Sequence, residues 1–151
     1  MKVLIIMGSS TDESVMSESQ KWLNWFNIEN NMIVASAHRN PDKVRELMVT
    51  AKDNGYGVVI AAAGMAAALP GVCAAYTSLP VLGVPLDGGL SGGIDALYSI
   101  VQMPAGLPVG TLAVGKAGAR NAAVMAARII ALSNPEVAKR VEEFKANEYR
   151  I

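Results

Sequence analysis

Apolar runs and helical periodicities alternate along the chain. Continuous apolar stretches fall at Lys2–Met7, Met32–Ala35, Val58–Ala62, Val81–Val84 and Gly110–Val114. Runs of this kind, without polar alternation, fit parallel strands covered on both faces. Between them, Val15, Ser19, Trp22, Leu23 and Phe26 recur at helical spacing, as do Val44, Leu47, Met48 and Ala51. Asn40 and Pro41 suit the cap and first turn of that second helix. A short apolar helix follows Pro70, and further helices are predicted over Ile94–Met103, Ala117–Leu132 and 136–147. Five strand–helix units and a terminal helix predict one α/β domain over 1–151, with a doubly wound parallel sheet and right-handed crossovers. The last helix is expected to pack on its own subunit or between subunits. In such sheets ligands sit past the carboxyl ends of the strands, so those loops are the candidate site.

Charge changes this picture in one region. Thirteen basic residues balance thirteen acidic ones, which gives no electrostatic reason to expect nucleic acid or an anionic membrane as partner. From Asn54 to Gly115, however, Asp87 and Asp95 are the only charged residues. Gly57, Gly64, Pro70, Gly71, Pro80, Gly83 and Pro85 interrupt that stretch, so it is not a membrane span. Its poverty in charge implies burial both in the core and against other subunits. The single cysteine, Cys73, excludes an internal disulfide, and one Cys with one His excludes a typical zinc cluster. The N-terminal apolar run is too short for a secretory signal, so the cytoplasm is the expected compartment.

The loops past the strands carry the chemistry. Gly8-Ser9-Ser10-Thr11-Asp12 leads into a helix, where free N–H groups and the dipole favour an anion. It is equally readable as a plain helix cap, with Thr11 or Asp12 as the capping residue. Neither a P-loop nor G-x-G-x-x-G is present. Ser36-Ala37-His38-Arg39 places the only imidazole beside a guanidinium. Imidazole suits proton transfer near neutrality, and the guanidinium suits phosphate or carboxylate. The competing role for His38 is a structural bond to its own loop. The small residues of Ala63–Gly71 allow close approach by a ligand or tight packing. Met65 there fits a gap-filler. The glycines of 87–93 suit a lid or a connector, and Lys116 an anion contact or plain exposure.

Several segments in register resemble the class I N5-carboxyaminoimidazole ribonucleotide mutases. They are Met7-Gly8-Ser9 with Asp12, Ser-Ala-His-Arg-x-Pro at 36–41, Ala-Gly-x-Ala-Ala-x-Leu-Pro-Gly at 63–71, Val-Leu-Gly-Val-Pro at 81–85, Tyr98–Pro104 and Pro108–Thr111. The resemblance implies a three-layer, flavodoxin-like α/β/α sandwich assembled as a homo-octamer. It also implies a small-molecule substrate, a phosphoribosyl aminoimidazole carrying a carbamate, whose carboxylate moves to carbon 4 as carbon dioxide. No cofactor and no metal are implied. Carried over by position, His38 is the general acid/base. Ser9, Asp12 and Arg39 bind the ligand, and Ser36, Gly64, Met65, Ala66 and Ala67 line the pocket. Arg39 matches the mutases, since the direct carboxylases usually carry Lys there. Three features depart from the family pattern: Ala68 stands where it has a second His, Met65 where it has Gly, and the loop at 87–93 differs. The rival functions are a divergent lyase or carboxylase on a related nucleotide, a catalytically silent nucleotide-binding module, and, more distantly, a flavin-binding module on the same fold.

Overall fold

The computed structural model describes residues 1–151. Its strands are β1 (Lys2–Met7), β2 (Asn30–Val34), β3 (Tyr56–Ala63), β4 (Val81–Pro85) and β5 (Gly110–Thr111). The helices are α1 (Glu13–Trp25), α2 (Pro41–Thr50), α3 (Leu69–Tyr76), α4 (Ile94–Val101), α5 (Gly115–Ala131) and α6 (Pro135–Ala146). All strand pairs are parallel, in the order β2-β1-β3-β4-β5. That is the flavodoxin-like order, with its switch point between β1 and β3.

Two cores flank the sheet, because successive strand residues point to opposite faces. Val3, Ile5 and Met7 join Val58, Ile60 and Ala62 under α1, α5 and α6. Leu4 and Ile6 join Val59, Ala61 and Ala63 under α2, α3 and α4. The fold is thus a three-layer α/β/α sandwich. Helix α5 meets the sheet through small residues, Gly118, Ala119, Ala122, Ala123, Ala126 and Ala127. At Gly118 an added Cβ would lie 1.6 Å from the Ala113 carbonyl oxygen, so only glycine permits this approach.

The two edge strands differ from expectation. β2 starts earlier, at Asn30, and stops before Ala35. An edge strand is solvated along one side, so Asn30 and Asn31 pair with Val3 and Leu4 without being buried. β5 shrinks to Gly110–Thr111 because the chain turns at once into α5, with Gly115 at φ 71°. Helix α4 ends at Val101 rather than Met103, just ahead of Pro104.

Helix α6 closes the α1–α5 face. Phe144 is buried in edge-on contact with Trp22, Trp25, Phe26 and Tyr149, at centroid distances of 5.5, 5.6, 5.3 and 5.7 Å. Arg140 stacks over Trp25 and donates from Nε to its carbonyl at 3.1 Å, a cation at the carboxyl end of α1. Phe144→Ala empties the centre of this cluster. It is expected to cost about 3–5 kcal/mol in urea unfolding, with an unchanged slope.

Candidate functional site

The loops past β1, β2, β3 and β4 enclose a cleft of about 660 Å³ at the switch point. The β1 loop forms one wall. Residues Ser10–Asp12 make a 3-10 turn ahead of α1; Ser9 caps that turn, and Asp12 takes the cap position of α1 without a side-chain cap bond to it. Ser9 Oγ accepts from the Thr11 N–H at 3.3 Å and from the Thr11 hydroxyl at 2.9 Å. Ser9 lines the cleft, where its hydroxyl adds a polar group. The Asp12 carboxylate accepts the Ser9 N–H at 3.1 Å. The loop is therefore both a helix cap and a cleft wall.

The β2 loop forms the facing wall and is locked by Ser36, one of two buried polar side chains. Ser36 Oγ accepts the Arg39 N–H at 3.3 Å, and its carbonyl accepts the Asn40 N–H at 2.8 Å. These bonds close the turn that presents His38 and Arg39. Asn40 takes the cap position of α2 but makes no side-chain cap bond. Arg39 Nη2 donates to the Gly8 carbonyl at 2.9 Å, tying the β2 loop to the β1 loop. That uses one guanidinium N–H of five. His38 sits exposed on the lip of the cleft, and no hydrogen bond within the chain holds its ring.

The floor and third wall come from Ala63, Gly64, Met65, Ala67, Ala68 and Leu69, where the Ala67 N–H returns to the Gly64 carbonyl at 3.1 Å. Met65 adopts a left-handed backbone, φ 55°. Of the nine site residues named from sequence, Ser9, Asp12, Ser36, His38, Arg39, Gly64, Met65 and Ala67 converge on the cleft. Ala66 is exposed and does not line it. Lys116 is exposed on α5, outside the cleft. The cleft also takes in Thr11, Ser14, Val15, Ala37, Leu86, Asp87 and Gly88. Thr11 and Asp87 sit on segments already singled out by their place after a strand, and Ser14 lies in the first turn of α1; Asp87 had no further signal.

A family model described as AIR carboxylase matches residues 2–150. The chain belongs to the AIR carboxylase family. Among its curated relatives, an N5-carboxyaminoimidazole ribonucleotide mutase of Vibrio cholerae is 51% identical over 148 residues, 98% of this chain and 92% of that one. The Escherichia coli protein of the same name is 49% identical over 144 residues, 95% of this chain and 85% of that one. A crystal structure of Treponema denticola PurE superposes with a TM-score of 0.85 at 27% identity, covering 97% of this chain and 90% of that one.

In this member of the family, burial holds the Asp12 carboxyl above the usual carboxylate range, although the bond from the Ser9 N–H pulls the other way. A carboxyl with a raised folded pKa contributes most below its unfolded value, about 4, and that contribution is lost as pH rises through the folded value. Asn at this position keeps an acceptor for Ser9 and has no charge to desolvate. Asp12→Asn is expected to melt above the unliganded wild type at neutral pH, and the gap is expected to close as thermal scans move below about pH 4.

Proposed function

We propose that this protein is an N5-carboxyaminoimidazole ribonucleotide mutase, an isomerase of purine biosynthesis that moves the substrate's carboxylate from the exocyclic nitrogen to carbon 4. What carries this reading is the meeting of His38 and Arg39 with the Ser9–Asp12 loop in one cleft. Relatives of that name, about half identical over nearly the whole chain, support it. The divergent lyase or carboxylase and the silent binding module have no observation in their favour.

Each wall has a task in this reaction. The amino end of α1, the Ser9 O–H and the free N–H groups of Arg39 hold the phosphate. Asp12 accepts from the ribose hydroxyls. The apolar wall from Gly64 to Leu69 excludes water from the carbon dioxide released when the carbamate N–C bond breaks. His38 gives a proton to the nitrogen as that bond breaks. Carbon 4 then attacks carbon dioxide, and His38 takes the carbon 4 proton, which restores the aromatic ring. The proton lent in the first step is recovered in the second, so the reaction is an isomerisation. Proximity is the main contribution, because the second step reuses a molecule that has not left the cleft.

The working unit is a homo-octamer in the cytoplasm on this reading. Helix α4 turns Ala96 and Ile100 to the core, yet carries a second apolar stripe at Ile94, Tyr98 and Val101, which are 36%, 62% and 46% exposed. Tyr76 on α3 and Leu90 extend the exposed apolar surface. These residues lie in the charge-poor stretch from Asn54 to Gly115, and contact with further copies would cover them. No helix is long and apolar enough to cross a membrane.

The test is conversion of N5-carboxyaminoimidazole ribonucleotide to the carbon 4 carboxylate, against an enzyme-free control; a folded protein that forms none overturns the reading. His38→Asn is expected to lose at least about 100-fold in kcat with an unchanged circular dichroism spectrum, and normal turnover would remove His38 from its role. Light scattering is expected to show a mass near eight chains, and a monomer would contradict the proposed assembly.

A further inference from the structure

The Gly-rich segment after β4 is held at both ends. Leu86 donates to the Ala63 carbonyl at 2.9 Å, which fixes the segment's start to β3. Asp95, in the first turn of α4, reaches back over it. One carboxylate oxygen accepts the Leu90 N–H at 3.0 Å and the other accepts the Ala96 N–H at 2.9 Å. These bonds hold the Asp95 carboxyl below the usual carboxylate range, the Leu90 amide being the largest cause. Ser91, Gly92 and Gly93 follow with φ of 48°, 68° and 90°, and the Gly93 N–H closes onto the Leu90 carbonyl at 3.1 Å. The fit against Asp95 is close: a Cβ on Gly89 would stand 2.0 Å from its Oδ2.

What this clamp fixes is the edge of the cleft. Asp87 and Gly88 line it, while Asp95 does not. Asp87 is exposed and has no hydrogen bond or ion pair within the chain. An acid beside a bound phosphate and carboxylate is unfavourable unless it faces hydrogen-bond donors. The substrate of the proposed reaction has such donors, its ribose hydroxyls and its exocyclic N–H.

We propose that Asp95 is a positioning residue for this cleft: it clamps the Gly88–Leu90 segment so that the Asp87 carboxylate meets an O–H or N–H donor of the bound ribonucleotide. The inference rests on the mutase reading and adds to it a fourth wall that selects substrate. It makes the segment a preset wall rather than a swinging lid.

Steady-state kinetics of wild type, Asp87→Asn, Asp95→Asn, Asp95→Ala and Gly89→Ala test it. Loss of one charge-assisted contact predicts a KM about tenfold higher for Asp87→Asn, with a smaller change in kcat. Asp95→Ala is expected to shift KM in the same direction. Asp95→Asn, which keeps one acceptor oxygen, is expected to fall between it and wild type. Gly89→Ala displaces the Asp95 carboxylate without removing it, and its effect is expected to vanish in an Asp95→Ala background. The double variant Asp87→Asn/Asp95→Ala is expected to be no worse than the poorer single variant. Independently of turnover, amide exchange over residues 87–93 is expected to quicken in Asp95→Ala. Wild-type KM in Asp95→Ala, additive losses in the double variant, or unchanged amide exchange overturns the proposal. An inactive wild type beside quickened exchange overturns the mutase reading, and with it the role of Asp87, while the clamp stands.

Discussion

Burial of β1 and β3 on both faces leaves the interiors of the central strands no place for a polar group, so the polar groups of the site lie past their carboxyl ends. Val3 to Ile6 are wholly buried, as are Val58 to Ala62, and helices cover both sides of them. Only two polar side chains are buried in the chain. Ser19 satisfies itself on the Ala119 carbonyl at 2.6 Å, inside the α1–α5 contact. Ser36 lies where β2 has just ended, and spends its bonds on the turn bearing His38 and Arg39. The strands are thus pure support. At the switch point the chain leaves β1 toward one edge of the sheet and β3 toward the other, and the loops part to form the cleft. Arg39 then draws two of those loops together again through Gly8. The same guanidinium that would bind an anion also sets the width of its site.

This division explains which features the sequence made legible. Central strands and their flanking helices could be read because apolar runs and helical spacing are local properties. The edge strands could not be bounded as well, since half-solvated Asn30 and Asn31 look like loop and Leu112 to Val114 look like strand. Ser9, His38 and Arg39 were visible by position alone, as polar residues directly after predicted strands. Asp12 at the cap position of α1 was legible too, but the 3-10 turn ahead of it and the capping bonds of Ser9 were not, because only geometry displays them. Ala66 was named with its neighbours but is not among the residues lining the cleft, and in a run of alanines nothing in composition distinguishes the side that faces it. Asp87 was hidden for a different reason. It lines the cleft from a glycine-rich segment whose Leu90 N–H is held by the Asp95 carboxylate, and no periodicity displays such a contact.

Two of the three departures from the family pattern, Met65 and Ala68, fall on one wall. Met65 holds a left-handed backbone that costs an L-residue roughly 1–2 kcal/mol. Such strain persists where neighbours fix the chain, here through the turn from Gly64 to Ala67 and the start of α3 directly after it. Ala68 takes the cap position of α3 with no side-chain bond to offer. The wall from Gly64 to Leu69 therefore has no titratable group, and the cleft has one imidazole, His38. One is enough for the chemistry proposed. A carboxylate leaving nitrogen needs a proton delivered, and a carboxylate arriving at carbon 4 needs a proton removed. Taken in that order, the two demands return a single imidazole to its starting state. A second His would help to orient or enclose the substrate, but the proton balance does not require it. What an apolar wall contributes instead is exclusion of water during the interval when free carbon dioxide lies between its two bonding partners.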